Sequence, residues 1–261
     1  MKPVALTIAG SDPSGGAGIQ ADLKTFHQFG VYGTSVLTLL TVQNTVSVRN
    51  LTVLDPAFVE EQLDAVLEDI QPGALKTGAL GTGAIVEAVA SRLSRLPVPV
   101  VVDPVLISKH GDALAEDDVR DALREKLLPE ALVVTPNRFE ATALSGVDVI
   151  DTETAVESAR IIAAIGPQAV VIKGLREGDR AIDVLWMDGT CVKIESDLVN
   201  TKNTHGTGCT FSAAITAELA KGSNLEEAVR RAKTFVASAL ASAPDLGSGI
   251  GPVDHHACPP S

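Results

Sequence analysis

Short runs of apolar residues alternate along this chain with longer stretches in which apolar and polar residues recur at helical spacing. The short runs are rich in β-branched residues, which favours buried strands. They lie at residues 3–10, 34–43, 74–78, 98–106, 131–137 and 169–174. The longer stretches predict helices at residues 17–30, 56–70, 84–96, 117–128, 139–146, 153–165, 206–221 and 225–241. Continuous strands joined by helical crossovers indicate an α/β fold, with a mainly parallel sheet and helices on both faces.

One stretch departs from this alternation. Residues 180–196 contain two alternating apolar and polar runs joined around Asp188-Gly189, which is a strong signal for a β-hairpin. We expect this hairpin to form an antiparallel edge of the sheet. Because the chain contains no linker-like, repetitive or low-complexity tract, we predict one domain.

Composition narrows the class of ligand. The 261 residues carry a formal net charge of −12, which argues against a nucleic-acid surface, since proteins that bind the phosphate backbone are usually basic. An acidic chain can bind a phosphorylated small molecule through a local site of backbone N–H groups, lysines and a metal ion. Three widely separated cysteines favour a reducing cytoplasm, and no apolar run is long enough for a signal peptide or a membrane span.

Polar loops follow most of the predicted strands. Ligands bind α/β sheets of this kind beyond the carboxyl ends of the strands. The loops GSDPSGGAG, TVQNT, KTGAL, VDPV, TPNRFE and IKG all lie at such ends. We therefore expect one binding site along that edge, although Asp12 or Ser14 in the first loop could simply cap the following helix.

The segment NTHGTGCT, at residues 203–210, leads directly into a predicted helix. The backbone N–H groups of Gly206, Thr207, Gly208 and Cys209 can converge there on one anion, such as a transferring phosphoryl group. An ordinary glycine-rich helix start is the alternative. The chain contains no GxxxxGK[ST] motif, so this is not a Walker-type phosphate loop.

Four side chains at strand ends are further candidates. Gln43 offers a donor and an acceptor in one plane, which suits a heterocycle with a ring nitrogen beside an amine. Asp103 and Glu140 could hold Mg²⁺ directly or through its waters, and Lys173 could reach a nucleotide phosphate. Each also has a purely structural alternative: Gln43 as a strand-end amide, Asp103 as a turn residue, Glu140 as a solvated helix residue and Lys173 as a surface lysine. The tail segment DHHACPP is a poor zinc signal, because adjacent histidines rarely chelate one metal.

These loops, in this order, resemble those of the ribokinase-like superfamily of small-molecule kinases. The similarity runs nearly end to end and is most specific to the vitamin kinase branch that phosphorylates hydroxymethylpyrimidine and phosphomethylpyrimidine in thiamine biosynthesis. The matching segments are ALTIAGSDPSGGAGIQADLKTF, GVYGTSVLTLLTVQNT, KTGAL, VDPV, LVVTPNRFEA, VIKG, THGTGCTFSAAI and GIGPVDHH. The resemblance implies that residues 1–261 form one ribokinase-like kinase domain, in a cytoplasmic homodimer.

The resemblance also implies the reaction and the roles of the site residues. Such enzymes use ATP and Mg²⁺ to phosphorylate 4-amino-5-hydroxymethyl-2-methylpyrimidine to the monophosphate and then to the diphosphate. Gln43 would read the pyrimidine, with Gly10 and Asp22 in the same pocket. The remaining roles would be nucleotide binding by Lys173, Asn137 and Thr207, and magnesium binding by Glu140 and Asp103.

Cys209 stands where most of the superfamily carries a catalytic aspartate. A helix N-terminus can lower the pKa of a thiol well below about 8.5, so we expect a thiolate that takes the proton of the substrate hydroxyl. Positioning is the alternative, because deprotonation does not dominate a loose phosphoryl-transfer transition state.

This chain departs from the motif of the related pyrimidine kinases at one position that bears on the choice of substrate. Related kinases with the same cysteine accept pyridoxal, and Ala79 in KTGAL replaces the methionine of the more common KIGML. A pyridoxal or pyridoxine kinase is therefore the alternative enzyme, and a non-catalytic pyrimidine sensor is the less favoured alternative.

Overall fold

A computed structural model describes residues 2–106 and 117–260. Its strands are β1 (Val4–Ser11), β2 (Tyr32–Gln43), β3 (Val48–Val53), β4 (Ala74–Thr77), β5 (Val100–Val102), β6 (Val133–Val134), β7 (Ala169–Glu177), β8 (Arg180–Met187) and β9 (Thr190–Asp197). Its helices are α1 (Gly18–Gln28), α2 (Pro56–Asp69), α3 (Gly83–Leu93), α4 (Asp117–Ala122), α5 (Arg138–Ser145), α6 (Thr152–Ala163), α7 (Thr207–Ala220) and α8 (Leu225–Ala241). After α4 the chain continues through a π-helical turn and a 3₁₀ turn up to Glu130.

The strands form one sheet in the order β3-β2-β1-β4-β5-β6-β7-β8-β9. From β2 to β7 all neighbours are parallel, and in the centre Ile8 of β1 lies opposite Val36 of β2 and Thr77 of β4. The predicted hairpin is confirmed: β8 and β9 are antiparallel, and Asp188 and Gly189 both have positive φ, as a tight hairpin turn requires. The predicted α/β fold class is therefore confirmed.

The sequence pattern did not predict β3, which pairs antiparallel with β2 at the other edge of the sheet. As an edge strand it has a neighbour on one side only, and none of its residues is fully buried. The apolar periodicity that identifies the central strands is weak there for that reason. The predicted strands at residues 98–106 and 131–137 are also shorter in the structure, because their last residues form the polar loops of the carboxyl edge.

Two helical layers bury the two faces of the sheet. Leu6 and Ile8 of β1 pack against the layer of α2, α3, α5 and α6, whereas Ala5 faces the layer of α1, α7 and α8. Helix α7 is rich in alanine and buried over most of its length. This burial holds its N-terminus at the carboxyl edge of the strands. None of the described helices is long and apolar enough to cross a membrane.

The loop after β1 and the start of α7 are in direct backbone contact. Gly206 has a φ of 80°, and a Cβ atom at this position would lie only 1.7 Å from the carbonyl oxygen of Gly16. Gly206 is therefore required by both its conformation and its neighbour. Gly222, beyond the other end of α7, has a φ of 93° but nothing within 4 Å of its would-be Cβ.

These two glycines form a matched pair for a stability measurement. Gly222→Ala should lower the free energy of unfolding by about 1–2 kcal/mol through the left-handed backbone alone. Gly206→Ala should cost about 1–3 kcal/mol more, because the methyl group also collides with backbone that must move. Denaturant unfolding of both variants measures the difference, and equal losses would show that the two loops separate easily.

Candidate active site

The start of α7 faces the carboxyl edge of the sheet. The N-cap residue, Gly206, has no side chain to bond the first-turn N–H groups. A Cβ atom on Gly208 would lie 3.3 Å from Nζ of Lys173 and 3.6 Å from Oδ2 of Asp103. The structure thus brings the predicted anion-binding loop directly against two of the other predicted site residues.

Lys173, on β7, and Asp103, after β5, form a largely buried ion pair with a 2.7 Å separation of Nζ and Oδ1, in which the lysine is partly exposed and the aspartate is buried. Ser212 of α7 also donates a hydrogen bond to Asp103, at 3.3 Å. Burial alone would raise the pKa of Asp103, but the charges of Lys173 and Lys76 outweigh burial and lower it. Likewise, burial opposes the charge on Lys173, but Asp103 and Glu140 outweigh it and raise its pKa. Both groups are therefore ionised near neutral pH.

Glu140 closes a capping box at the start of α5. Its Oε2 accepts from the N–H of Asn137 at 2.8 Å, and Oδ1 of Asn137 accepts from the N–H of Glu140 at 3.1 Å. Burial raises the pKa of Glu140 to about 7, and repulsion from Asp103 adds to this effect while Lys173 opposes it. The carboxyl groups of Asp103 and Glu140 thus lie near the same lysine. Carboxylate oxygens are ligands that fit Mg²⁺. The described residues hold no cluster of three His, Cys, Asp or Glu side chains suited to a metal ion, so water or ligand oxygens would have to complete the coordination.

The environment of Cys209 contradicts the expected thiolate. Its pKa is raised to about 12, first because of burial and then because Asp22 and Asp103 repel a negative charge. Lys76 and the N–H of Gly18 favour the thiolate but do not outweigh burial. The helix N-terminus therefore does not by itself create a basic thiolate here, and the expectation of a lowered pKa is wrong for this structure.

A second buried ion pair, missed by the sequence analysis, lies beneath this cysteine. Nζ of Lys76 lies 2.7 Å from Oδ1 of Asp22, and both side chains are fully buried. Thr7 donates to the other carboxylate oxygen at 2.6 Å. Burial disfavours the charge on Lys76, but Asp22, Cys209 and Asp103 outweigh it and raise its pKa. Because Asp22 has no exposed surface, its predicted place in a substrate pocket stays a prediction.

Gln43 and Gly10 end neighbouring strands. Gln43 is half-buried, and its terminal amide lies 3.3 Å from Nε2 of His205. A Cβ atom on Gly10 would lie 2.5 Å from the side chain of Leu39, so packing alone requires a glycine there. His205 was not among the predicted site residues, although its position directly before GTGC was a usable signal.

Two residues from the sequence analysis have other contacts than those considered there. Asp12 bonds the backbone just before α1, and His255 in the tail bonds a hydroxyl group. Asp12 accepts from the N–H groups of Gly16 and Ala17, just before the helix, at 3.2 and 2.8 Å. His255 is buried with Nε2 3.2 Å from the hydroxyl of Thr210, and burial lowers its pKa to about 4.

An uncapped helix start lies against a lysine–aspartate pair at the carboxyl edge of a parallel sheet, which is where α/β folds bind phosphorylated small molecules. Residues 12–254 match the family model described as phosphomethylpyrimidine kinase. The chain belongs to this family.

Individual relatives agree with this assignment. The chain is 45% identical to a hydroxymethylpyrimidine/phosphomethylpyrimidine kinase of Staphylococcus aureus (strain MSSA476), over 98% of this chain and 95% of that protein. It is 44% identical to the enzyme of the same name from Haemophilus influenzae, over 97% and 96%.

Solved structures of two kinds share the fold. A Bacillus subtilis pyridoxal kinase in complex with ADP superposes with a TM-score of 0.90 at 41% identity, covering 98% of both chains. A phosphomethylpyrimidine kinase from Clostridium difficile superposes with a TM-score of 0.81 at 37% identity, covering 92% of this chain and all of that one (100%). The likeness extends to kinases named for two different substrates.

The raised pKa of Cys209 can be measured directly. With a pKa of about 12, only roughly 10⁻⁴ of the thiol is ionised at pH 8, and the thiolate is the form that is alkylated. The iodoacetamide reaction of Cys209, followed by mass spectrometry of its peptide, should keep accelerating up to pH 10. The exposed Cys258 serves as the internal reference. A plateau in the Cys209 rate below pH 9 would contradict this environment.

Proposed function

We propose that this chain transfers the γ-phosphoryl group of ATP to the hydroxymethyl oxygen of 4-amino-5-hydroxymethyl-2-methylpyrimidine, and then a second phosphoryl group to the resulting monophosphate. The observation that carries the proposal is the contact of the Gly206–Cys209 loop with Lys173 and Asp103, at the same edge as Gln43. The names of the curated relatives, matched over nearly their whole length, support the same substrate.

In the proposed reaction, some residues stabilise charge on the phosphoryl group and others orient the substrate. The N–H groups at the start of α7 would receive the phosphoryl group as it gains negative charge, and preorganised donors stabilise such charge strongly in a dry site. Lys173 adds a point charge toward the nucleotide phosphates, beside Asn137 and Thr207. Gln43 binds the ring edge, next to Gly10 and above Asp22. Cys209, protonated in the free protein, positions the substrate hydroxyl rather than deprotonating it.

Magnesium would be held by Glu140 and Asp103, in part through its waters. When bound, the ion neutralises phosphate charge during the transfer. In its absence Lys173, whose Nζ already lies 2.7 Å from Asp103, is the main cation near the two carboxylates, with Lys76 contributing at Asp103. An added cation therefore relieves a local excess of negative charge.

Pyridoxal is the second candidate substrate. Structural relatives that carry the name pyridoxal kinase are 39–41% identical to this chain. Ala79 contributes a small side chain at the β4 end, and its carbonyl is fixed by a 2.6 Å hydrogen bond from Thr38. A small residue there leaves room for a ring substituent that a methionine would exclude.

Three further features follow from the resemblance. We infer that residues 1–261 act as one kinase domain, that the protein is a homodimer, and that it works in the cytoplasm. The separated cysteines support the last inference. Sedimentation of the purified protein as a 27.0 kDa species only would overturn the dimer.

Product analysis tests the activity itself. Incubation with ATP, Mg²⁺ and the hydroxymethylpyrimidine should yield the monophosphate first and the diphosphate later, both resolved by chromatography and mass spectrometry. Pyridoxal at the same concentration is the comparison. Phosphorylation of pyridoxal alone would replace the proposed substrate, and absence of ADP release with either alcohol would overturn the kinase assignment.

Glu140→Gln tests the magnesium role with little damage to the fold, because glutamine preserves a capping box. The variant should need about 10-fold more Mg²⁺ or more for half-maximal activity, as loss of a tuning carboxylate commonly weakens metal binding to that extent. Glu157→Gln, an exposed position on α6, is the matched control for loss of one negative charge. Superimposable magnesium titrations of wild type and Glu140→Gln would remove Glu140 from the metal site.

A further inference from the structure

The side chain of His205 joins the loop after β1 to the end of β2. Its Nε2 atom lies 2.7 Å from Oδ2 of Asp12 and 3.3 Å from the terminal amide of Gln43. The edge of the ring also packs closely against Gly16, since a Cβ there would be 2.4 Å from Cδ2 of His205. In the backbone, the N–H of His205 donates to the carbonyl of Gly251 at 2.9 Å. This histidine is therefore held in one place by contacts on several sides.

Asp12 determines which form of the histidine is present. Its carboxylate accepts from the backbone N–H and the hydroxyl of Ser14 and from the N–H of Ala17, all at 2.9 Å or less. Burial alone would raise the pKa of Asp12, but the hydrogen bonds from His205 and Ser14 outweigh burial and lower it. An ionised carboxylate can only accept. Nε2 of His205 must therefore carry a proton and donate it to Asp12.

That proton fixes the neighbouring amide. As placed, the amide nitrogen of Gln43 lies 3.3 Å from Nε2 of His205, and its carbonyl oxygen faces Thr41. Because Nε2 is a donor, the hydrogen-bond network favours the flipped amide, with the carbonyl oxygen toward His205. On the other side, the terminal amide of Gln43 lies 3.4 Å from the hydroxyl oxygen of Thr41. Thr41 donates its single hydroxyl proton to the carbonyl of Ser11 at 2.9 Å, so toward Gln43 it can only accept. Both neighbours thus favour the same orientation, with the NH₂ group toward Thr41.

We propose that Asp12 and His205 are positioning residues that set the order in which the Gln43 amide presents its acceptor and its donor to the substrate ring. The inference rests on the proposed function, in which Gln43 binds that ring. His205 precedes Gly206 in the chain, so the same residue ties the ring-binding amide to the loop that receives the phosphoryl group. A ring with the opposite order of donor and acceptor would meet like groups and be rejected.

A double-mutant cycle tests this dependence. His205→Asn should raise the KM for the hydroxymethylpyrimidine about 10-fold or more, because a misoriented amide leaves buried polar groups unpaired. The KM for ATP should stay within about twofold. In a Gln43→Leu background the same change should cost at most about twofold, because the group on which His205 acts is gone. Equal losses in both backgrounds, or a matching rise in the KM for ATP, would overturn the proposal.

Two more variants keep the test decisive if His205→Asn folds poorly by circular dichroism. Asp12→Asn can donate to Nε2 and reverse the polarity of the contact, so it should raise the same KM, and again only when Gln43 is present. Ser14→Ala, the matched control, removes a hydroxyl bond to the same carboxylate without touching His205, and should leave KM within about twofold. An equal effect of Ser14→Ala would show that only the loop matters.

The wild-type assay separates this inference from the proposed function. If the wild type phosphorylates pyridoxal but not the pyrimidine, the proposed substrate is wrong, and the cycle is run with pyridoxal. Non-additivity with that substrate still supports positioning by His205, and additivity overturns it.

Discussion

The electrostatics of this site depend on two lysines that are each buried 2.7 Å from an aspartate. Lys76 pairs with Asp22 below the start of α7, and Lys173 pairs with Asp103 beside it. Removing one partner of such a pair commonly costs about 3–5 kcal/mol, because the other is left as an uncompensated buried charge. The pairs therefore fix β1, β4, β5 and β7 relative to α1 and α7, and their charges shift the pKa values of Cys209 and Glu140.

These pairs also limit how much positive side-chain charge a chain of net charge −12 can offer to a phosphate. Each lysine is largely neutralised by its aspartate, so neither supplies a full positive charge to a ligand. In the proposed reaction, the attraction would come from the N–H groups of the α7 start and from a cation held near Glu140. The pKa of Glu140, about 7, is raised first by burial and further by repulsion from Asp103, and Lys173 only partly opposes these effects.

The sequence supports the parallel core and the hairpin because buried strands and a tight turn have strong local patterns. It could not reveal β3, whose exposed edge position leaves no apolar period. For the site, position at strand ends identified Gln43, Lys173 and Asp103, and the structure places them along one edge. The pairing of Lys76 with Asp22 could not be foreseen, because it joins residues on β4 and α1 that only the fold brings together. The raised pKa of Cys209 could not be foreseen for the same reason. The sequence shows the helix start, but not the burial of the thiol or the aspartates around it.

A protonated Cys209 cannot act as the base that removes the proton of the substrate hydroxyl. If no side chain removes the hydroxyl proton early, the rate must come from holding the oxygen in line with the phosphoryl group and from stabilising charge on that group. In the proposed mechanism both demands fall on the same short segment: His205 contacts the amide proposed to bind the ring, and Gly206 begins the loop proposed to bind the phosphoryl group. Gly16 packs against His205 and lies within contact distance of Gly206, so the segment cannot shift without displacing the loop after β1. In the proposed mechanism, the spacing between the ring-binding amide and the anion-binding loop would thus be set by backbone packing rather than by a flexible side chain.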